Sequence, residues 1–218
     1  MRLDRNSYGT IAMIYGIAGA VVLVLFLLHV SAWVLWTVGI LMLFCCWFIT
    51  FFFRVPDRPK AGDTRNVTAV ADGKIVILEK VYEPMFLKQE CLQMSIYMDF
   101  FDVHACFWPL TATVSEYCYY PGKHLLAFKP KASEDNEHTA TLLVSDGGQK
   151  VLFKQLAGGF ARRIVCYSRP GLRTVAGEQC GVIKFGSRID IYLPLDARIH
   201  VSLGDRVRAC ETILATLI

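Results

Sequence analysis

The most informative feature of this sequence is a long stretch that contains no charge. After Arg2, Asp4 and Arg5 the next ionised side chain is Arg54, so 48 consecutive positions carry none. The chain has 23 Lys or Arg and 19 Asp or Glu among 218 residues, and nearly all of them follow that stretch. This pattern excludes an ordinary soluble enzyme and a polytopic transporter. It predicts a membrane anchor over residues 1–53 followed by one globular domain over residues 54–218.

Several common site motifs are also missing. The eight cysteines show no Cys-x-x-Cys and no paired metal-ligand spacing, so we expect free thiols in a reducing compartment and no metal cofactor. There is no Gly-x-Gly-x-x-Gly after a strand, no P-loop and no His-Glu-x-x-His. Basic residues do not cluster and the net charge is only +4, so nucleic acid is not an expected partner.

The uncharged stretch is about twice the length that one membrane-spanning helix needs. We predict two spans, 11–30 and 33–53; the alternative is one span and a helix lying on the membrane surface. Neither half has the charged face of a surface helix, which favours the hairpin. Arginines flank both ends of the anchor and the turn has no charge. The positive-inside rule then places the domain on the cytoplasmic face of the cell (inner) membrane.

Short β-type runs separated by turn residues predict a mainly β domain with few short helices. The helices are expected near residues 100–101 or 155–160. The predicted strands are 67–71, 74–81, 92–98, 112–119, 139–144, 150–156, 162–166, 182–185, 188–193, 198–203 and 212–217.

Three short motifs combine residues that could carry chemistry: Ala71-Asp72-Gly73-Lys74, Phe101-Asp102-Val103-His104 and Phe185-Gly186-Ser187-Arg188. Each one alone has an ordinary structural explanation. Together with further blocks in the same order, the chain resembles phosphatidylserine decarboxylase, in its short, two-span branch. The further blocks are Phe52-Phe53-Arg54-Val55-Pro56-Asp57-Arg58, Tyr120-Pro121-Gly122-Lys123, Lys131-Ala132-Ser133-Glu134-Asp135-Asn136-Glu137, Ala157-Gly158, Ala161-Arg162-Arg163-Ile164-Val165-Cys166, Gly181-Val182-Ile183-Lys184 and Gly204-Asp205-Arg206-Val207.

The resemblance implies a proenzyme that cuts itself between Gly186 and Ser187, giving pieces 1–186 and 187–218. It implies that Ser187 becomes a pyruvoyl group, which forms a Schiff base with phosphatidylserine, and that phosphatidylethanolamine is released. Asp72, His104 and Ser187 would be the orienting carboxylate, the base and proton donor, and the nucleophile. No metal is implied. The two pieces would stay together as a heterodimer, and a homo-oligomer is possible.

One position departs from the family pattern. Many members carry a second histidine three residues after the first, where this chain has Phe107. Either His104 serves both self-cleavage and decarboxylation, or another group such as His124, His138 or His200 assists.

Candidate contacts to the lipid are Arg162, Arg163 and Asn136, with ordinary surface arginines and a capped turn as the alternatives. Two other functions stay open: a lipid-binding homologue that does not cleave, and, less favoured, an anchored carrier domain.

Overall fold

The computed structural model describes residues 2–123, 136–158, 163–184 and 187–218, and for Ser187 the backbone alone. The chain forms two compact units, Met1–Asp57 and Arg58–Ile218. This boundary lies four residues beyond the predicted one. Strand β1 (Arg2–Leu3) pairs with β2 (Arg54–Val55), which ties residues 54 and 55 to the start of the chain.

The first unit is a helical hairpin. Helix α1 spans Tyr8–Leu27 and helix α2 spans Ala32–Phe52, each within three residues of a predicted span. At 1.5 Å per residue each is about 30 Å long, the thickness of a bilayer core. Both are long and apolar enough to cross a membrane. A hydrogen bond of 3.0 Å between Tyr15 Oη and Thr50 Oγ1 links them.

The hairpin exposes large apolar side chains to its surroundings. Trp33 and Trp36 near the start of α2 are each 72% exposed. Water would penalise such a surface, whereas lipid would not. The exposed residues therefore support the membrane anchor that the sequence predicts.

The second unit is built from antiparallel strands. They are β3 (Asn66–Thr68), β4 (Gly73–Glu83), β5 (Gln89–Met98), β6 (Ala105–Phe107), β7 (Ala112–Tyr120), β8 (His138–Ser145), β9 (Lys150–Ala157), β10 (Arg163–Cys166), β11 (Arg173–Thr174), β12 (Gln179–Lys184), β13 (Ser187–Leu193), β14 (Arg198–Ile199), β15 (Arg206–Val207) and β16 (Ile213–Thr216). Eight of them form one sheet in the order β11-β7-β8-β9-β13-β5-β4-β15. Two three-stranded sheets, β10-β12-β6 and β14-β16-β3, complete the described part of this unit.

Alternating side chains in β13 explain where the core lies. Ile189, Ile191 and Leu193 are buried in the main hydrophobic cluster. Arg188 and Asp190 point to the opposite face of the sheet and are also fully buried, as an ion pair with Nε and Oδ1 2.6 Å apart. Strand β13 therefore has protein on both faces and lies between β9 and β5.

The mainly β domain is confirmed, and every predicted strand overlaps an observed one. The two proposed helix positions were wrong where the structure describes them. Residues 99–102 form a turn, and Gln155–Ala157 continue strand β9. The β9 segment stays extended because its residues pair with both β8 and β13. Residues 159 and 160 lie outside the described part.

Candidate active site

Four neighbouring strands of the large sheet place their ends side by side. Strand β13 begins at Ser187, whose backbone pairs with Met98, the last residue of β5, and with Ala157, the last residue of β9. Strand β4 begins next to the end of β5, with Lys74 opposite Tyr97. We call this edge the Ser187 end of the sheet. Residues just before β4 or just after β5 lie at this edge.

Gly73 fixes the chain at the start of β4. Its φ is +153°, and a Cβ atom there would lie 2.2 Å from the backbone oxygen of Tyr97. Only glycine allows the two strands to approach so closely. This close approach places the preceding residue, Asp72, at the Ser187 end.

The Asp72 carboxylate is almost buried and is bound on both oxygens. Arg58 donates Nη1–H to Oδ1 and Nη2–H to Oδ2, the latter at 2.8 Å, and the backbone N–H of Ala209 donates to Oδ1 at 2.9 Å. The hydrogen bond to Asp72 raises the pKa of the Arg58 guanidinium above its ordinary value. Asp72 is therefore held in one orientation by a fully charged partner.

His104 is fully buried and follows β5 by six residues. Its Nδ1 lies 3.0 Å from the backbone oxygen of Asp102. A carbonyl oxygen can only accept, so Nδ1 carries a proton, and in the uncharged form of the ring the lone pair lies on Nε2. The His104 oxygen accepts from the N–H of Ile183 at 3.3 Å. Ile183 is three residues before Gly186, so the backbone of His104 is bonded to the strand that leads to the predicted cleavage bond.

The Asp-Val-His motif also contains a carboxylate, but that group faces Arg206. Asp102 Oδ1 accepts from Arg206 Nη1 at 3.3 Å, and Asp99 Oδ2 accepts from Arg206 Nη2 at 2.9 Å. Burial raises the pKa of Asp102, and the neighbouring charges of Asp99 and Asp72 act in the same direction. Asp102 contributes its backbone oxygen, not its carboxylate, to the orientation of His104.

The residues proposed to contact substrate have different positions. Asn136 is buried and its Nδ2 donates to the Ala157 oxygen at 2.7 Å, so it supports the end of β9. Arg163 is exposed and its backbone pairs with Lys184, two residues before Gly186. Arg162 and Gly186 lie outside the described residues. Of the substrate candidates that are described, only Arg163 is exposed.

Phe107, at the place of a second histidine, is buried, and its N–H donates to the Val70 oxygen at 2.8 Å. Among the other histidines, His138 begins β8, and its Nδ1 donates to the Asn136 oxygen at 2.7 Å. His200 Nε2 lies 2.8 Å from Thr216 Oγ1 at an exposed position, and His124 is outside the described residues. Among the described histidines, His104 is the one whose backbone oxygen accepts a hydrogen bond from β12.

Two residues of this region were missed by sequence reasoning. Arg58 was noticed as part of a family block and of the positive flank of the anchor, but not as the partner of Asp72, because nothing in a single sequence indicates an ion pair between them. Gln155 is fully buried on β9, and its Nε2 has no hydrogen-bond partner among the described residues. Within those residues there is also no group of three or more His, Cys, Asp or Glu that could hold a metal ion.

Comparison with known proteins decides the family. The model of the phosphatidylserine decarboxylase family matches residues 46–215. The chain belongs to the phosphatidylserine decarboxylase family. The resemblance that the sequence suggested is therefore confirmed, and so is the carboxy-lyase class that it predicted. The match includes all three strand ends that carry Asp72, His104 and Ser187.

Individual members of the phosphatidylserine decarboxylase family match over most of the chain. A protein of Nitrosomonas europaea is 40% identical over 199 residues, which cover 91% of this chain and 90% of the relative. One of Porphyromonas gingivalis is 36% identical over 219 residues, covering 100% of this chain and 99% of the relative. One of Desulfotalea psychrophila is 42% identical over 171 residues, covering 78% and 80%. All three are named phosphatidylserine decarboxylase proenzyme.

Proposed function

We propose that this protein decarboxylates phosphatidylserine to phosphatidylethanolamine after cutting its own chain between Gly186 and Ser187. The observation that supports the proposal is that β4 and β13, which begin just after Asp72 and at Ser187, both pair with β5, while the His104 backbone bonds to Ile183 on the strand that leads to Gly186. Asp72 precedes β4, His104 follows β5, and Ser187 begins the strand that pairs with β5. Family membership supplies the expected substrate and reaction.

Self-cleavage needs a nucleophile and a base. The Ser187 hydroxyl would attack the carbonyl carbon of Gly186 and turn the amide into an ester. Elimination then releases the Gly186 carboxylate and leaves dehydroalanine, and water replaces its nitrogen as ammonia to give a pyruvoyl group. The lone pair on His104 Nε2 suits this imidazole to accept a proton in these steps and to return one during decarboxylation.

The described residues fit a pyruvoyl group at position 187. That residue starts a strand paired on both sides, so a new chain end formed there would be held by β5 and β9. The group supplies an electron sink for the loss of carbon dioxide. Arg163, exposed beside Lys184, is a candidate to contact the lipid phosphate.

The pairing of strands supports a stable two-piece enzyme. The piece 187–218 contributes β13 to the large sheet, β15 to its edge beside β4, and β16 to the pairing with β3. These contacts do not depend on an intact Gly186–Ser187 bond. We therefore expect pieces 1–186 and 187–218 to purify together and to separate only under denaturing conditions.

A denaturing gel with intact-mass analysis tests the cleavage. The wild-type protein should give two pieces, and the small one should lack a free amino terminus. Ser187→Ala should remain one inactive chain, because no hydroxyl can attack. A wild-type protein that stays whole would contradict self-cleavage and would favour the lipid-binding homologue that does not cleave.

A pair of histidine variants tests the base. His104→Ala should abolish the formation of phosphatidylethanolamine in vesicles containing phosphatidylserine. His200→Ala, which changes an exposed histidine bound to Thr216, is the matched control and should keep its activity. Equal activity of both variants would show that His104 is not the proton-transfer group.

The hairpin supports a location in the cell membrane, with the second unit on the cytoplasmic face. Arginines flank the hairpin at both ends, which is the positive-inside arrangement for two spans. Protease added to inside-out membrane vesicles should degrade the second unit, while right-side-out vesicles should protect it. Degradation in right-side-out vesicles would reverse the orientation.

A further inference from the structure

The turn between β5 and His104 places two large apolar side chains on the surface. Phe100 is 43% exposed and Phe101 is 69% exposed. Turns normally carry polar residues, and burying a phenylalanine is worth about 1.5–3 kcal/mol, so two exposed phenylalanines in succession need an explanation. The exposed pair lies within four residues of His104.

This turn has a defined shape. The Asp99 N–H donates to Asp102 Oδ2 at 3.0 Å, and the Phe101 N–H donates to Asp99 Oδ1 at 3.0 Å. Arg206 from β15 binds both carboxylates. The two phenylalanines therefore lie in a turn that hydrogen bonds and ion pairs hold in one conformation.

Strand β15, the turn before it and the start of β4 bring further exposed side chains to this edge. Leu203 is 64% exposed in the turn that leads to β15. Arg206 is exposed, and so is Lys74, which lies opposite it in the strand register. Arg206 is paired with Asp99 and Asp102, so part of the positive charge beside the apolar side chains is offset. We call Phe100, Phe101, Leu203, Lys74 and Arg206 the tip surface.

The chain itself indicates what the tip surface meets. Only residues 53–57 separate the end of α2 from Arg58, where the second unit begins. Within that unit Arg58 binds Asp72, which lies two residues before Lys74. The chain therefore enters the second unit at the same edge that carries the tip surface.

We propose that the tip surface inserts into the phospholipid leaflet and holds the Ser187 end of the sheet against the membrane. Phenylalanine and leucine suit the boundary of the acyl chains, while the arginine and lysine reach the headgroups. This inference rests on the proposed function, because it brings the edge that carries the predicted site next to the membrane lipid. The anchor tethers the unit, and the tip surface orients it.

Photo-cross-linking in the full chain tests the contact. The protein carries Phe101→benzoylphenylalanine and is placed in nanodiscs of phosphatidylcholine and phosphatidylserine. The matched control is Tyr82→benzoylphenylalanine, since Tyr82 is 62% exposed at the other end of β4. Irradiation should add the mass of a phospholipid to the variant at position 101 and not to the variant at position 82. No lipid adduct at position 101, or equal adducts at both positions, would overturn the proposal.

Kinetics test the consequence. The measured quantity is the ratio of kcat/KM for phosphatidylserine in the bilayer to kcat/KM for monomeric dihexanoyl phosphatidylserine. Phe101→Ser should lower this ratio about tenfold, which is equivalent to about 1.4 kcal/mol. Tyr82→Ser should leave that ratio at the wild-type value. An equal loss on both substrates, or no loss on either, would contradict a role in membrane contact. A wild-type protein that decarboxylates neither substrate would refute the proposed function. The cross-linking experiment would still test whether the tip surface contacts lipid.

Discussion

Replacing Arg58 with glutamine removes the guanidinium that binds both oxygens of Asp72. The side chains of Arg58 and Asp72 are only 7% and 12% exposed, so little water can replace the lost partner. Removing one member of a buried ion pair costs about 3–5 kcal/mol. The Ala209 N–H still binds Asp72 in the variant, so we expect a loss near the lower limit, about 3 kcal/mol.

The chain offers a matched control for this prediction. Arg173 and Asp146 also form a two-pronged ion pair, but their side chains are 49% and 69% exposed. Exposed pairs contribute little to stability, because water screens the two charges. Arg173→Gln should therefore lower the stability only slightly. The stability of Arg58→Lys should fall between those of the two glutamine variants, because lysine keeps the positive charge but cannot bind both carboxylate oxygens as a guanidinium does.

Thermal unfolding of the full chain in detergent micelles, followed by intrinsic fluorescence, measures the difference. A domain of this size loses about 2–4 °C in Tm for each kcal/mol, so Arg58→Gln should lower Tm by about 6–12 °C. Self-cleavage should also slow, because Asp72 is no longer held in place. A double-mutant cycle with Asp72→Asn isolates the pair. A Tm shift no larger than that of Arg173→Gln would refute the reasoning.

Two further predictions follow from the same edge and from a buried histidine. Gly73→Ala should destabilise the second unit by about 2–3 kcal/mol, because its Cβ would lie 2.2 Å from the Tyr97 oxygen. Gly148→Ala, also at a positive φ but with open space around it, should cost about 1 kcal/mol in the same melting experiment, and equal losses would argue against the close approach. Burial lowers the pKa of His138 below its ordinary value of 6.5. Below pH 6.5 the unfolded chain therefore binds a proton at this histidine more readily than the folded chain, and the stability of the fold should decrease as the pH drops. His138→Gln should flatten this dependence in melts between pH 7.5 and 5, and an unchanged slope would mean that His138 does not contribute.

Much of the architecture could be predicted from the sequence because its causes are local. The helix spans came from the uncharged stretch and from the thickness of a bilayer, and each helix lies within three residues of them. Strands such as β13 came from alternating polar and apolar residues. The two helix predictions failed because tertiary pairing kept the end of β9 extended, and reciprocal bonds between Asp99 and Asp102 closed a turn instead of a helix.

The site was predicted less completely. The order of the motifs identified Asp72, His104 and Ser187 as candidate site residues. The roles of these three residues stay predictions. Sequence reasoning gave Asp72 the task of orienting the base. In the structure Arg58 and Ala209 bind the Asp72 carboxylate, and the Asp102 backbone oxygen binds His104 Nδ1. Backbone acceptors and partners on distant strands have no signature in a single sequence.

The sequence by itself determined that this protein has an apolar hairpin, a β domain and the motifs of its family, because composition, alternation and short motifs are properties of neighbouring residues. Only the tertiary structure decided which strand ends meet, which cation binds Asp72, and that Phe100 and Phe101 remain exposed beside His104. Those facts depend on the register of β4, β5 and β13, which brings together residues more than 80 positions apart in the chain. Packing and hydrogen bonding between strands, not local preference, set that register.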